Sequence, residues 1–199
     1  MITIVSGLPR SGTSLILQML EKGGMEILTD NVRKADDSNP RGYYELEKVK
    51  SLRTDRRWLA DAEQKAIKII AQLLNFLPTT YDYSIILVER DMREILISQQ
   101  KMLETMGRTD VSANPALLAQ TFTQQLEKVK TWIARQNHMS TCFVSYRDLI
   151  QDPLAGAIQI ADFLDSGLNI RKMASAVDKN LYRQRVKQGQ KEAVNERSA

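Results

Sequence analysis

Hydrophobic and polar positions along the chain form blocks that are typical of strands followed by helices. The first apolar run, 2–5, leads through a polar, glycine-containing turn into a segment with helical spacing that ends near Gly23 and Gly24. Continuous apolar runs recur at 85–88 and 142–145, and each is followed by a helical pattern. Such runs are typical of strands that are covered on both faces of a parallel sheet. The pattern therefore predicts an α/β fold, a three-layer αβα sandwich around a central parallel sheet.

Between the first and second of these runs, the pattern predicts mainly helix and loop. A short strand is expected at 25–28, a polar loop at 29–41, and a helix that begins near 39–45 and continues to residue 52. Apolar residues between Arg53 and Leu77 have helical spacing. That spacing predicts one long helix that ends before Pro78.

The length of the chain predicts a single domain. A chain of 199 residues with 43% hydrophobic residues can bury one core, so the domain is expected to span 1–188, followed by a disordered basic tail at 189–199. The net charge is +4, and the segment 171–199 alone carries eight Lys or Arg against three Asp or Glu. No nucleic-acid-binding motif accompanies this charge, so no nucleic acid is expected as a partner, while a homodimer is possible for so small a domain.

The cellular setting is predicted from the cysteine and the apolar runs. Cys142 is the single cysteine and lies in an apolar run, which predicts a buried, unreactive thiol. No secretory leader pattern and no run of about 18 apolar residues is found, so we expect no membrane span and a cytoplasmic protein.

The turn after the first apolar run is predicted to bind an anion. Gly7 and Gly12 have the spacing of the P-loop G-x-x-x-x-G-K-[ST], with Ser14 at the hydroxyl position. Thr13 stands where nucleotide triphosphatases have the lysine that reaches the β- and γ-phosphates, so a kinase loses its central contact while phosphate binding by loop amides survives. Arg10 adds a positive charge. A glycine-rich turn that merely connects a strand to a helix is the alternative.

Residues 9–14, Pro-Arg-Ser-Gly-Thr-Ser, resemble the loop P-[KR]-S-G-T-[TS] of the sulfotransferase family. The resemblance implies transfer of a sulfuryl group from 3′-phosphoadenosine 5′-phosphosulfate (PAPS) to a hydroxyl or amine of an unidentified acceptor, without a metal. It also implies that the loop holds the 5′-phosphosulfate and that its arginine stabilises the charge on the departing nucleotide. The implied loop contacts come from Arg10, Ser11, Gly12, Thr13 and Ser14.

A second resemblance concerns the other end of PAPS. Arg90 follows the apolar run 85–88, and Ser98 comes eight positions later on a predicted helix, the spacing of the family's 3′-phosphate site. A guanidinium matches phosphate geometry, and strand ends of parallel sheets face the ligand crevice. The alternative is a helix-start ion pair between Arg90 and Glu94, with Ser98 an ordinary helical residue.

The base that removes the acceptor's proton is predicted from a third resemblance. Residues 39–45, Asn-Pro-Arg-Gly-Tyr-Tyr-Glu, resemble N-P-[RK]-G-[YF]-[FYW]-E of many bacterial sulfotransferase-like proteins, which implies Glu45 as this base. A glutamate that complements a helix N-terminus is the alternative. His138, the single histidine, lies in a polar link with neighbours unlike the family's base, so a solvated loop residue is expected.

The C-terminal third supplies one structural and one functional expectation. Residues 145–153 resemble the family's segment [VS]-Y-[ERD]-D-L-x-x-D-P, which implies the end of a strand and the start of a helix. In cytosolic sulfotransferases a basic C-terminal loop closes over the 3′-phosphate, and Arg183 and Arg185 offer similar chemistry; a solvated helix is the alternative. Two other functions stay open, a divergent P-loop kinase and a non-catalytic module that binds a nucleotide or a partner.

Overall fold

Four parallel strands form the centre of the computed structural model, which describes residues 1–36, 39–105, 107 and 114–182. Their order across the sheet is β2-β1-β3-β4, and their bounds are β1 Ile2–Gly7, β2 Ala66–Lys68, β3 Tyr83–Glu89 and β4 Met139–Ser145. The register pairs Val5 with Lys68, Gly7 with Val88, and Glu89 with Ser145. The carboxyl ends of these strands therefore lie at one edge of the sheet, where ligands bind in parallel α/β folds.

Helices follow or connect the strands. The α-helices are α1 Thr13–Gly23, α2 Met92–Thr105, α3 Pro115–Ile133, α4 Tyr146–Gln151, α5 Pro153–Leu164 and α6 Ile170–Ala174. The 3₁₀ helices are Glu47–Ser51, Arg57–Ala62, Ala71–Phe76 and Lys179–Leu181. Within the described ranges, no helix is both long enough and apolar enough to cross a membrane.

Alternate residues of each strand enter two separate cores. Val5 and Ile86 pack with α1, α4, α5 and α6 on one face of the sheet, whereas Ile4 and Ile85 pack with α3 and the 3₁₀ segments on the other. All four of these side chains are fully buried. Burial of one such side chain stabilises the fold by about 1.5–3 kcal/mol. The predicted three-layer αβα sandwich around a parallel sheet is thus confirmed.

The long helix predicted between Arg53 and Leu77 is wrong. The segment instead contains the strand β2, flanked by the 3₁₀ helices Arg57–Ala62 and Ala71–Phe76. Ile67 and Ile69 are fully buried against the sheet, and the strand uses the free hydrogen-bonding edge of β1. Pairing with an existing strand outweighs the local helical spacing, which cannot separate a helix from short buried strands. As the last residue of β2, Lys68 lies at the edge of the sheet where the strands have their carboxyl ends.

Two other local predictions need revision. Only Ile27 of the segment 25–28 makes a β-bridge, to Ala66. The helix expected from 39–45 onward is replaced by an irregular segment with a positive φ of 53° at Tyr44, followed by the 3₁₀ helix Glu47–Ser51. Glu45 accordingly precedes this short 3₁₀ helix and is not the first-turn glutamate of an α-helix, which removes the helix-dipole explanation for it.

Other local predictions are confirmed. Helix α1 ends at Gly23 and is capped by Gly24 in a left-handed conformation, and α3 begins at Pro115 with the Asn114 side chain as its N-cap. The segment 145–153 ends β4 and starts α4 and α5, as its motif implied. Cys142 is buried, and burial raises the pKa of its thiol, in agreement with an unreactive cysteine.

Candidate active site

The carboxyl ends of all four strands contribute to one pocket of about 420 Å³. The loop after β1 forms one wall, Lys68 comes from the end of β2, and Arg90 and Tyr146 directly follow β3 and β4. Arg10 and Tyr146, which are 136 positions apart in sequence, line the same space. The pocket thus occupies the position that parallel α/β sheets use for ligands.

Gly12 shapes the predicted anion-binding loop. It has φ 109° and forms the N-cap of α1, so the first N–H groups of the helix, those of Thr13 and Ser14, face the loop side. A Cβ atom at Gly12 would clash with the ring of Tyr146. Only glycine therefore allows both this backbone conformation and the close approach of the ring.

Replacing Gly12 with alanine is expected to destabilise the fold and to disturb the loop. Gly24→Ala is a matched control, because Gly24 has a similar φ of 105° but nothing within 4 Å of the added Cβ. Gly12→Ala should reduce the free energy of unfolding by about 1–3 kcal/mol more than the control does, since it adds a steric clash to the backbone strain. Urea denaturation followed by circular dichroism measures this difference. Equal losses in the two variants would show that the contact with Tyr146 is unimportant.

The structure brings the two predicted anion sites together. Arg10 Nε donates a hydrogen bond to Ser98 Oγ at 3.0 Å, which links the loop to α2. Arg90 Nη1 donates to the main-chain oxygen of Arg10 at 3.1 Å and supports a residue with φ 70°. Arg10, Arg90 and Ser98 all line the pocket. The predicted 5′ and 3′ sites therefore form one continuous surface.

The buried carboxylate of Glu94 holds Arg90 in place. Its carboxylate is only 1% exposed and lies 3.0 Å from Arg90 Nε, so the ion pair considered from the sequence does form. Tyr182 Oη donates to the other oxygen of Glu94 at 2.6 Å, and Arg147 lies 3.7 Å away. Arg90 itself is 8% exposed and stacks on Tyr146 at 4.5 Å from the ring centroid. Arg90 therefore pairs with Glu94 and lines the pocket at the same time, because the ion pair holds its guanidinium in the pocket wall.

Ser14 connects three segments of the site. Its hydroxyl donates to the main-chain oxygen of Tyr43 at 3.2 Å and accepts from Asn39 Nδ2 at 3.1 Å. Lys68 Nζ donates to the same hydroxyl at 3.2 Å and to the Tyr43 oxygen at 3.0 Å. These hydrogen bonds connect Ser14, at the hydroxyl position of the P-loop motif, to the segment that carries Glu45.

Lys68 is a candidate site residue that the sequence reasoning missed. Its side chain is 13% exposed, and its Nζ lies 3.8 Å from a Glu45 oxygen. Burial lowers the pKa of Lys68 to about 8, although the Glu45 carboxylate opposes this shift. Lys68 interrupts the apolar stretch 66–70, and this interruption was the available signal. The helical spacing of the surrounding residues concealed it.

Glu45 lies in the pocket within reach of two cations. Its carboxylate accepts hydrogen bonds from Arg33 Nη1 at 3.1 and 3.4 Å and is 3.8 Å from Lys68. Arg33 stacks on the ring of Tyr43 at 3.4 Å from the centroid. Arg33 is the second candidate that the sequence reasoning missed, because a lone arginine in a polar loop carries no motif.

The remaining predicted residues lie elsewhere. The main-chain oxygen of His138 accepts from the N–H of Tyr83, at the amino ends of β3 and β4. That edge of the sheet is opposite to the pocket, so a catalytic role for this histidine finds no support. Arg183 and Arg185 lie outside the described residues, and their predicted role stays a prediction.

Positive charge dominates the pocket. Six cationic side chains and two carboxylates line it among the residues described: Arg10, Arg33, Arg41, Lys68, Arg90 and Lys101, with Glu45 and Asp178. Such a surface is suited to a ligand with several negative charges, and the low exposure of Lys68 and Arg90 strengthens their attraction. Over the described ranges, no group of three or more His, Cys, Asp or Glu side chains is suited to a metal ion. The expectation that no metal is required stays a prediction.

A profile of the family described as the sulfotransferase domain matches residues 2–198. The chain belongs to the sulfotransferase family. This family membership supports sulfuryl transfer as the general activity and confirms the resemblance found in the loop motifs. No curated protein sequence matches the chain.

Solved structures agree with the fold. The sulfotransferase domain from the curacin biosynthetic pathway superposes with a TM-score of 0.54 at 14% identity, covering 91% of this chain and 88% of that domain. The mouse sulfotransferase SULT7A1, crystallised with PAP, gives a TM-score of 0.54 at 19% identity and covers 88% of this chain. This chain spans 62% of the mouse enzyme. At these identities the similarity concerns the fold alone.

Proposed function

We propose that this chain is a PAPS-dependent sulfotransferase that transfers a sulfuryl group to a hydroxyl or amine of an acceptor. The observation that carries the proposal is the arrangement of Lys68, which bridges the loop serine, Ser14, and the carboxylate of Glu45. The cation proposed to contact the phosphosulfate and the carboxylate proposed to act on the acceptor thus lie next to each other. This is the arrangement that transfer between two bound substrates needs.

The nucleotide is proposed to bind along the continuous surface between the loop and α2. Its 5′-phosphosulfate would accept hydrogen bonds from the first N–H groups of α1 and from Lys68, and its 3′-phosphate would contact Arg90 and Ser98. Arg10, which reaches from the loop to Ser98, would lie between these two anionic ends. PAP in the crystals of the mouse relative supports this nucleotide as the ligand class.

The proposed transfer is a direct displacement at sulfur. The acceptor oxygen or nitrogen forms a bond to sulfur, Glu45 takes the acceptor's proton, and the bond from sulfur to the 5′-phosphate oxygen breaks. The electron pair of that bond stays on the phosphate oxygen and yields 3′-phosphoadenosine 5′-phosphate (PAP). Lys68 and Arg10 would stabilise this growing charge electrostatically, because both cations lie beside the loop.

Calorimetric titration with PAP, ADP, ATP and Mg-ATP tests the proposal. We expect PAP to bind at least about tenfold more tightly than ADP without any metal, because only PAP carries the 3′-phosphate that Arg90 and Ser98 would hold. The purified protein should then release PAP from PAPS, as measured by chromatography. Tighter binding of Mg-ATP than of PAP would contradict the proposal and favour a divergent kinase. Binding of PAP without any turnover of PAPS would favour a non-catalytic module.

A further inference from the structure

Arg33 holds the proposed base in a paired state. Its guanidinium lies 3.1 and 3.4 Å from the two oxygens of Glu45, stacks on Tyr43, and lies 3.7 Å from Met102 Sδ. The Arg33 side chain is 35% exposed and lines the pocket, so a bound molecule can reach it. Arg33 belongs to the irregular segment between α1 and the first 3₁₀ helix, and it therefore has no regular secondary structure to fix its position.

This pairing opposes the chemistry proposed for Glu45. A carboxylate that accepts from a guanidinium with both oxygens has fewer lone pairs available for a proton. Lys68 adds a second cation at 3.8 Å. The proposed phosphosulfate would attract Lys68, whereas Arg33 is not among the cations assigned above to the nucleotide.

The balance of charges in the pocket also favours a second anion besides the nucleotide. Arg10, Lys68 and Arg90 are the cations that the proposed nucleotide would use. Arg41 forms an ion pair with Asp178 at 2.9 Å. Among the described cations that line the pocket, this leaves the two positive charges of Arg33 and Lys101 and the one negative charge of Glu45. An acceptor with a negative charge of its own would balance this excess.

We propose that Arg33 is a specificity-determining residue that recognises an anionic group on the acceptor, a carboxylate, sulfate or phosphate, close to the nucleophilic oxygen. Docking of this group draws Arg33 away from Glu45 and makes the carboxylate available as the base. Without such an acceptor, the pair keeps Glu45 from activating water, which limits the wasteful hydrolysis of PAPS. This inference rests on the proposed sulfotransferase function.

Hydrolysis of PAPS provides a test that needs no knowledge of the acceptor. Water oxygen bonds to sulfur, Glu45 takes a proton, and the bond from sulfur to the phosphate oxygen breaks, so that sulfate and PAP are released. The expected result is that Arg33→Gln hydrolyses saturating PAPS about three- to tenfold faster than the unmodified protein, because the base is released. Arg33→Lys should give an intermediate rate, since it retains the charge without the planar guanidinium that stacks on Tyr43.

Acetate serves as the probe for the anionic group. At constant ionic strength, acetate should accelerate hydrolysis by the unmodified protein in a saturable manner, whereas acetamide should not. Arg33→Gln should already be fast and should not respond to acetate. Arg53→Gln is the matched control, because Arg53 also stacks on an aromatic ring, that of Phe76, but does not line the pocket.

The outcomes separate this inference from the proposed function. If the protein fails to bind PAP in calorimetry, the proposed function is wrong. If PAP binds but Arg33→Gln hydrolyses PAPS no faster than the unmodified protein, the role of Arg33 is wrong and the proposed function stands. An equal response of both proteins to acetate would likewise overturn the role of Arg33.

Discussion

Replacing Lys68 with methionine is expected to reduce the rate at which bound PAPS is converted to PAP by about 10²–10³-fold. The ammonium donates to Ser14 Oγ and lies beside Glu45, so its loss removes the cation nearest to the point of transfer. Methionine keeps most of the volume of the buried stem, and the fold should therefore remain intact. Rapid-quench measurement of a single turnover isolates the chemical step from product release.

Two comparisons control this result. Lys65→Met removes a lysine that lies just before β2 and pairs with Glu26, outside the pocket, and should leave the rate unchanged. The pH dependence of PAP affinity is the second readout. Burial lowers the pKa of Lys68 to about 8, so the side chain is charged below this pH and neutral above it.

Affinity for PAP in the unmodified protein should accordingly weaken as the pH rises from 8, approaching about tenfold per pH unit. Affinity falls in this direction because the anionic ligand binds the charged lysine more tightly than the neutral one. Lys68→Met should lack this dependence between pH 7 and 9. A full rate in Lys68→Met, or the same pH dependence in both proteins, would exclude Lys68 from the site.

Replacing Arg90 with lysine should weaken PAP binding by about 10- to 100-fold while leaving thermal stability close to that of the unmodified protein. Lysine retains the charge that buried Glu94 needs, which avoids the large loss expected from an unpaired buried carboxylate. It lacks the planar fork that holds Glu94 and a phosphate at the same time. Calorimetric titration with PAP measures the affinity.

Arg147→Lys is the matched control for this variant. Arg147 also lies near Glu94, at 3.7 Å, but it does not line the pocket. Its replacement should leave PAP binding within about twofold, because the phosphate contacts remain. Equal effects of the two variants would show that the ion pairs of Glu94, and not a phosphate contact of Arg90, govern binding. The 3′-phosphate site would then lie elsewhere.

Local sequence was sufficient to predict the turn after β1 and to select Arg90 and Ser98 as candidate residues. The turn between β1 and α1 depends on glycine spacing, and Gly12 indeed adopts a left-handed conformation. Arg90 and Ser98 were predicted from their resemblance to the family's 3′-phosphate spacing, which spans a strand end and the following helix and is also a local feature. That these two sites meet follows from the parallel sheet, since consecutive strand ends lie at the same edge.

Local sequence was insufficient for Lys68 and Arg33. Lys68 was assigned to a helix because a short apolar run fits either helix or strand, and only pairing with β1 decided between them. Arg33 meets Glu45 through a loop without regular structure, and no spacing rule predicts such a contact.

The sequence by itself thus determined the α/β fold class, the turn between β1 and α1 and the choice of Arg10, Glu45, Arg90 and Ser98 as candidate residues, because each depends on patterns within a few turns of chain. Only the tertiary structure brought Lys68 and Arg33 to Glu45 and set the burial that lowers the pKa of Lys68. Those features depend on contacts between distant segments. The energy of such contacts comes from packing and pairing that no single segment contains.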